Sequence, residues 1–455
     1  MSYNDKGLKT RVKRVATAAH DTAAPVPHGR ARRPGTTPEQ GRDDSGSRAV
    51  HNLVTETVGS WFAIAIDRRR AGMVAICLAS IACRTDSRQS ISDSASGQLG
   101  DSTATVAASA LLGDSTATIG SMMERVDGAR AAGIPVSDKP NVDQQHVLDA
   151  LVSLGGKPIE ALSVTEARKQ PSPADAVMAV LKHVGKPVTP EAVGAVSNRT
   201  IPTSAGSLPI RVYTPEGRGP FPVIVYYHGG GFVIATIDTY DGSARALANA
   251  AGAVLVSVEY RKAPEHKFPA AHSDALAAYE WVLANTAKLQ GDPSRVALAG
   301  ESAGGNLAVA TAVAARDKHL QLPTSILAVY PIAGTDTNTA SYREQADSKP
   351  LNRAMMAWFL GKYMRTAADG RDPRLNLLNA DLQGLPPVTI INASIDPLRT
   401  DGELLAARLR DAGVTVEQKQ FDGVAHEFFG QGAVLPEARD AVKFGARSLK
   451  TGFEK

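Results

Sequence analysis

The chain has 455 residues, a length that allows two or three domains. Hydrophobic residues make up 43% and charged residues 21%, which is typical of a globular protein with a substantial core. The formal net charge is only +4, and the arginines near the start lie among Pro, Gly, Ser and Thr. This pattern argues against a nucleic-acid-binding protein, which would show a basic stripe with interleaved aromatic residues.

Residues 1–140 do not have the composition of a packed domain. The stretch 28–48 is polar and rich in Pro and Gly, so it buries too little apolar surface to offset the entropy lost on ordering. Two near-copies follow at 99–106 and 112–119. Because a solenoid needs at least three stacked units, we interpret them as a low-complexity linker. The sequence therefore predicts a disordered N-terminal region.

Within that region, residues 68–83 have the layout of a secretory signal peptide: a cluster of arginines, a run of mostly apolar residues, and small residues at the end. The run is too short to span a bilayer comfortably, so no transmembrane span is predicted. If it acts as a signal, the protein is exported to the periplasm or secreted, and translation starts downstream of Met1. If it is a short buried helix segment, the protein is cytoplasmic.

The two cysteines, Cys77 and Cys83, both lie in this apolar run. The rest of the chain therefore has no disulfide framework, thiolate nucleophile or cysteine-ligated metal.

Ordered structure is predicted to begin near Val142. Apolar residues at three- and four-residue spacing predict amphipathic helices over 142–155 and 172–185, each with Asp or Ser at its start and Gly at its end. From about Val196, strand and helix patterns alternate. Several strands are continuously apolar, which is expected when helices cover both faces of a mainly parallel sheet. The sequence thus predicts an α/β domain over 191–455, preceded by helices in 141–190.

An insertion at about 335–370 interrupts this alternation. It contains an aromatic- and methionine-rich stretch with Met355, Met356, Trp358, Phe359 and Tyr363. Its position between two predicted strands makes it a candidate for part of a lid over the carboxyl ends of the strands.

The strongest local motif is Gly300-Glu301-Ser302-Ala303-Gly304, which lies between an apolar strand and a helix. This is the context of a nucleophile elbow, in which a sharp turn lifts the serine hydroxyl above the sheet edge. The amides at the start of the next helix then point at developing negative charge. The alternative is a Gly/Ser turn without chemistry.

A second glycine motif, His228-Gly229-Gly230-Gly231, also follows a strand. Three consecutive glycines weaken a purely structural connection. They are expected where main-chain amides must face a ligand, as in the oxyanion loop of lipases and esterases.

A serine nucleophile needs a base and an acid that orients it, which in α/β-hydrolases follow in the order Ser, Asp or Glu, His. Asp396 lies just past a predicted strand, and His426 lies in the loop after the last one. His426 and Glu427 could also begin a zinc-binding His-Glu-x-x-His helix, but that motif needs a second histidine at position 430, where the chain has Gly430. We therefore predict Ser302, Asp396 and His426 as a catalytic triad, although Asp396 alone could be a turn residue before Pro397.

Four motifs in this order, HGGGF, YRKAPEHKFPAA, GESAGGN and DPLRTDG, followed by the histidine of HEFF, resemble the bacterial hormone-sensitive-lipase-like esterases, family IV of the lipolytic enzymes. The resemblance covers the chain from about Val142 to the C-terminus. It implies an α/β-hydrolase core with a helical cap built from the N-terminal helices and the insertion. It also implies an oxyanion hole formed by the amides of Gly230, Gly231 and Ala303, and no need for a metal or another cofactor.

The resemblance implies a serine carboxylesterase that acts on small esters with short to medium acyl chains through an acyl-enzyme. Two alternatives remain: a lipase acting on longer chains, and a non-catalytic small-molecule-binding member of the fold, as in plant gibberellin receptors, which lack the catalytic histidine. A β-lactamase-like mechanism is excluded because no serine has a lysine three residues later. The sequence leaves both a monomer and a homodimer open.

Overall fold

The computed structural model describes residues 137–455. The predictions made for the signal-like segment at 68–83 and for the near-repeats at 99–119 lie outside the described residues.

In this part of the chain, eight strands form one sheet in the order β1-β2-β4-β3-β5-β6-β7-β8. The first two strands and β4 pair antiparallel, and all pairs from β4 through β3 to β8 are parallel. The strands are β1 (Ala195–Thr203), β2 (Gly206–Thr214), β3 (Phe221–Tyr227), β4 (Val254–Val258), β5 (Gly291–Glu301), β6 (Ile326–Val329), β7 (Val388–Ile395) and β8 (Val416–Ala425).

Helices cover both faces of this sheet. In chain order they are α1 (Val142–Ser153), α2 (Val164–Ala167), α3 (Pro173–His183), α4 (Asp241–Ala251), α5 (Ala270–Asn285), α6 (Ala303–Asp317), α7 (Ala340–Glu344), α8 (Arg353–Tyr363), α9 (Arg399–Asp411) and α10 (Pro436–Phe453). One core cluster joins the sheet to α5, α6 and α9, and a second joins it to α4 and α10. Every residue of β4, β6 and β7 is buried, which explains their uninterrupted apolar sequences.

The N-terminal helices lie within the predicted ranges and start at clear capping residues. The side chain of Asn141 accepts a hydrogen bond from the amide of Gln144 at the start of α1. At α3, Ser172 and Asp175 form a capping box in front of Pro173. Helices α1 and α3 pack together through a small apolar cluster of their own.

Strand β1 and helices α2, α4, α7 and α10 were not predicted. Strand β1 has exposed and half-exposed residues along most of its length, so no apolar run marked it, and its hairpin pairing with β2 defines it instead. The insertion lies between β6 and β7, as predicted, and contains α7 and α8. Over residues 137–455, no helix is both long and apolar enough to cross a membrane.

Candidate active site

Ser302 occupies a sharp turn between β5 and α6. Its backbone has a positive φ of 55° with ψ of −115°, a conformation that residues other than glycine rarely adopt. The neighbouring glycines are required by space. A Cβ on Gly304 would overlap the carbonyl oxygen of Tyr227, and one on Gly300 would overlap that of Gly304. The strained turn therefore holds the serine hydroxyl at the carboxyl end of the sheet.

The three residues predicted as a triad meet at this edge. Asp396 directly follows β7 and His426 directly follows β8. The Nδ1 atom of His426 lies 2.7 Å from Oδ2 of Asp396. Its Nε2 atom lies 3.0 Å from Oγ of Ser302. All three side chains are almost completely buried.

The hydrogen bonds define the state of the imidazole. An ionised carboxylate only accepts hydrogen bonds, so Nδ1 of His426 carries the proton that is donated to Asp396. Nε2 is then free to accept the proton of the Ser302 hydroxyl. Burial lowers the pKa of His426, but the nearby carboxylates of Asp396, Glu427 and Glu301 outweigh burial and leave the pKa above its usual value.

The glycine loop after β3 lies beside Ser302. Gly230 and Gly231 have φ of 93° and 58°, and both line the same cavity as Ser302 and His426. A Cβ on Gly231 would overlap the ring of Phe359 in α8, so glycine lets the cap approach the loop closely. Ala303 is buried and does not line the cavity. Its amide is among those at the start of α6 that have no partner within the helix.

A cavity of about 310 Å³ opens from Ser302 beneath the cap helices. Met355, Met356 and Phe359 of the insertion supply part of its apolar lining, together with Leu351. Trp358 does not line the cavity, and neither does Tyr363, whose hydroxyl bonds to His272 instead. Of the predicted aromatic- and methionine-rich stretch, Met355, Met356 and Phe359 therefore line the cavity, whereas Trp358 and Tyr363 pack in or against the core.

Buried polar residues that the sequence analysis did not single out surround the site. The Glu301 carboxylate accepts hydrogen bonds from the hydroxyls of Tyr226 and Tyr330, and the Tyr330 ring centroid lies 4.5 Å from that of His426. The hydroxyl of Tyr240 donates to Glu427 at 2.5 Å. Only Glu301 and Glu427 had a sequence signal, because each directly adjoins a predicted triad residue.

Asp401 supports the neighbouring loop after β6. Its carboxylate accepts hydrogen bonds from the amides of Ala333 and Gly334, both at 2.9 Å. Burial raises the pKa of Asp401 to about 7, although these two amides act in the opposite direction. In residues 137–455, no three His, Cys, Asp or Glu side chains converge in a metal-binding arrangement.

Comparison with known proteins assigns the family. Residues 224–430 match the family model of the alpha/beta hydrolase fold. The chain is 42% identical over 248 residues to the carboxylesterase NlhH of Mycobacterium tuberculosis, covering 53% of this chain and 78% of that protein. It is 31% identical over 298 residues to the ethyl acetate hydrolase of Pseudomonas putida, covering 64% and 92% of the two chains.

Among solved structures, an esterase of Pyrobaculum calidifontis is 38% identical with a TM-score of 0.61, over 66% of this chain and 97% of that one. These similarities confirm the α/β-hydrolase fold that the motifs implied. The chain therefore belongs to the bacterial hormone-sensitive-lipase-like carboxylesterases (family IV), carboxylic ester hydrolases of the α/β-hydrolase superfamily.

Proposed function

We propose that this ester hydrolase cleaves short- to medium-chain acyl esters, with Ser302 as nucleophile, His426 as general base and Asp396 as the residue that orients it. The observation that carries the proposal is the continuous hydrogen-bonded chain from Ser302 through His426 to Asp396, with separations of 3.0 Å and 2.7 Å. Both fall within the range that proton transfer requires.

The chemistry proceeds in two acyl-transfer steps. Nε2 of His426 takes the Ser302 proton as Oγ attacks the ester carbonyl, and Asp396 stabilises the imidazolium that forms. The tetrahedral intermediate collapses when its carbon–oxygen bond breaks and His426 returns the proton to the leaving alcohol. Water then attacks the acyl-enzyme with His426 as base, which releases the acid and restores Ser302.

The negative charge on the carbonyl oxygen needs donors that are already in place. The amides of Gly230, Gly231 and Ala303 are our candidates, because the first two line the cavity beside Ser302 and the third begins α6. One such donor contributes about 3 kcal/mol to transition-state stabilisation.

Two observations favour small substrates. The cavity of about 310 Å³ lies at the lower end of the range of ligand pockets. In addition, one relative is named an ethyl acetate hydrolase.

The deciding experiment measures kcat/KM for p-nitrophenyl esters of increasing acyl length, together with labelling by a fluorophosphonate probe. We expect labelling at Ser302 and a maximum at short to medium chains. Peak activity on emulsions of long-chain triglycerides would favour the lipase alternative. A folded protein that neither reacts with the probe nor turns over any ester would favour the binding-protein alternative.

A further inference from the structure

Glu427 places a second carboxylate against the imidazole, on the side opposite Asp396. Its Oε1 atom lies 3.9 Å from Nε2 of His426, the nitrogen that faces Ser302. Its side chain is 20% exposed and lines the cavity that contains Ser302. The mechanism described above gives this carboxylate no task.

The backbone at Glu427 indicates that the side chain has a specific role. The residue is left-handed, with φ of 70°, where glycine would be less strained. A glutamate in this conformation is uncommon and is a reason to look for function. Tyr240 fixes its orientation through the 2.5 Å hydrogen bond to Oε1, and Tyr240 also lines the cavity.

The mechanism defines which part of an ester Glu427 would face. His426 must return its proton to the leaving oxygen, so that oxygen lies within hydrogen-bond reach of Nε2. Because Oε1 of Glu427 is 3.9 Å from the same nitrogen, the carboxylate lies next to the alcohol part of the ester. A hydrogen-bond donor on the carbon next to the ester-bearing carbon of that alcohol would then face the Glu427 carboxylate.

We propose that Glu427 selects the alcohol part of the substrate by accepting a hydrogen bond from a hydroxyl or protonated amine on the carbon adjacent to the ester-bearing carbon. The preferred substrates are then esters of glycol-like or amino alcohols rather than of simple alkanols. This inference rests on the proposed role of His426.

The surroundings of the carboxylate fit this assignment. Burial raises the pKa of Glu427, opposed by His426 and by the Tyr240 hydrogen bond. A donor or cation on the substrate would replace hydration that the carboxylate loses in the cavity. The Glu301 carboxylate accepts hydrogen bonds from two tyrosines and does not line the cavity, so Glu427 is the carboxylate that a substrate would meet beside His426.

The test uses pairs of butyrate esters that differ in one group. The first pair is 2-hydroxyethyl and propyl butyrate, and the second is 2-(dimethylamino)ethyl and 3-methylbutyl butyrate. Within each pair the alcohols have nearly the same shape, and the intrinsic reactivity of each ester cancels when the kcat/KM ratio of a variant is compared with that of the wild type. The change in the ratio therefore reports the contact with Glu427. We expect the wild type to favour the donor-bearing ester by about tenfold in at least one pair, the effect of one hydrogen bond to a charged group.

Two substitutions separate charge from hydrogen bonding. Glu427→Gln keeps an acceptor and removes the charge, so we expect the ratio to fall by about tenfold for the ammonium pair and by less for the hydroxyl pair. Glu427→Leu removes both the charge and the acceptor, so the preference for the donor-bearing ester should be lost in both pairs. The matched control is Glu160→Gln, which removes a carboxylate from the cap side of the same cavity and should keep both wild-type ratios.

The outcomes distinguish this inference from the proposed function. Active Glu427→Gln and Glu427→Leu enzymes with wild-type ratios would overturn the inference. Equal loss of activity on both members of each pair would also overturn it, because Glu427 would then act on His426 rather than on the alcohol. A wild type that cleaves alkyl esters without preferring a donor would overturn the inference alone, whereas a wild type that is not labelled by fluorophosphonate and cleaves no ester would overturn the proposed function.

Discussion

At the scale of single residues, the site depends on a serine held in a strained conformation and an imidazole held between carboxylates. Ser302 has a positive φ of 55°, and the nearby Gly304 packs so closely against the carbonyl oxygen of Tyr227 that a Cβ would not fit. His426 is buried, and three carboxylates raise its pKa against the effect of burial. Three predictions follow from these local properties.

Replacing Ser302 with alanine removes the proposed nucleophile and leaves the amides and the cavity in place. We expect kcat to fall by about a million-fold, the effect measured for a triad serine in subtilisin. Steady-state kinetics on p-nitrophenyl butyrate with Ser294→Ala as an exposed-serine control would test this. Turnover near the wild-type rate would contradict the assignment of Ser302.

The pH dependence of kcat/KM should report the charge of His426. As the proposed base, His426 must be neutral to accept the Ser302 proton, so we expect activity to be lost as pH falls through the pKa of His426. Because the nearby carboxylates raise this pKa, the midpoint of the acidic limb should lie above about 6.5, the value for an unperturbed histidine. A profile measured between about pH 5 and pH 9 with a substrate that does not ionise would show the midpoint. A midpoint below that of free histidine would contradict the prediction.

Glu301 should make the protein less stable as pH rises. Burial raises its pKa to about 7, with Glu427 adding to the shift and the Tyr226 and Tyr330 hydrogen bonds opposing it. The unfolded chain loses this proton near pH 4.5, so the wild type loses stability relative to Glu301→Gln as pH rises from there to about 7. Between about pH 5 and pH 8, the free energy of unfolding of the wild type should fall by about 2 kcal/mol relative to that of Glu301→Gln. Urea unfolding of both proteins at the two pH values measures this change. If the difference in unfolding free energy between the two proteins were the same at both pH values, the pKa of Glu301 would not be raised.

At the scale of elements, one arginine links the N-terminal cap helices to the core. Arg168 follows α2, and its guanidinium donates to the carbonyl oxygens of Val233 and Ala263 at 2.9 Å and 2.8 Å. It also forms a two-armed pair with Glu265, with both distances 2.7 Å. Val233 lies just after the glycine loop, so this contact connects the cap to the loop beside Ser302.

Replacing Arg168 with alanine should destabilise the protein by about 2 kcal/mol, because two buried or half-buried carbonyl groups lose their partner. Glu265→Ala should cost less than about 1 kcal/mol, because Glu265 is more than half exposed and surface ion pairs contribute little. The free energy of unfolding in urea tests the order of the two variants. Equal losses would mean that the ion pair, rather than the two carbonyl contacts, anchors the cap.

At the scale of the whole molecule, the parallel part of the sheet brings distant segments to one edge. Ser302, Asp396 and His426 each directly follow a strand, namely β5, β7 and β8. These strands are neighbours with β6 between the first two, so residues up to 124 positions apart lie within hydrogen-bond distance. The cap helices then cover this edge and leave the cavity.

The residues proposed for catalysis and substrate selection lie between Gly230 and Glu427, and the composition of residues 1–136 predicts no packed domain, so this N-terminal region should be dispensable for chemistry. We therefore expect a protein lacking residues 1–136 to keep its kcat/KM within about twofold. Kinetics of the full and shortened proteins on p-nitrophenyl butyrate measure this. An insoluble or inactive shortened protein would show that residues 1–136 contribute to folding or to the site.

The sequence by itself determined the family, the position of most strands along the chain and the residues worth testing. Apolar runs and glycine motifs are local signals, and the elbow around Ser302 can be recognised because only glycine fits two residues before it and two residues after it, at Gly300 and Gly304. The catalytic roles of Ser302, Asp396 and His426 stay predictions until they are measured. Tertiary structure alone decided β1, the division of the insertion between cavity and core, and the placement of Glu427 against His426. Each of these depends on which distant surfaces meet, because β1 has no apolar run and a carboxylate next to the histidine in sequence could equally have pointed into solvent.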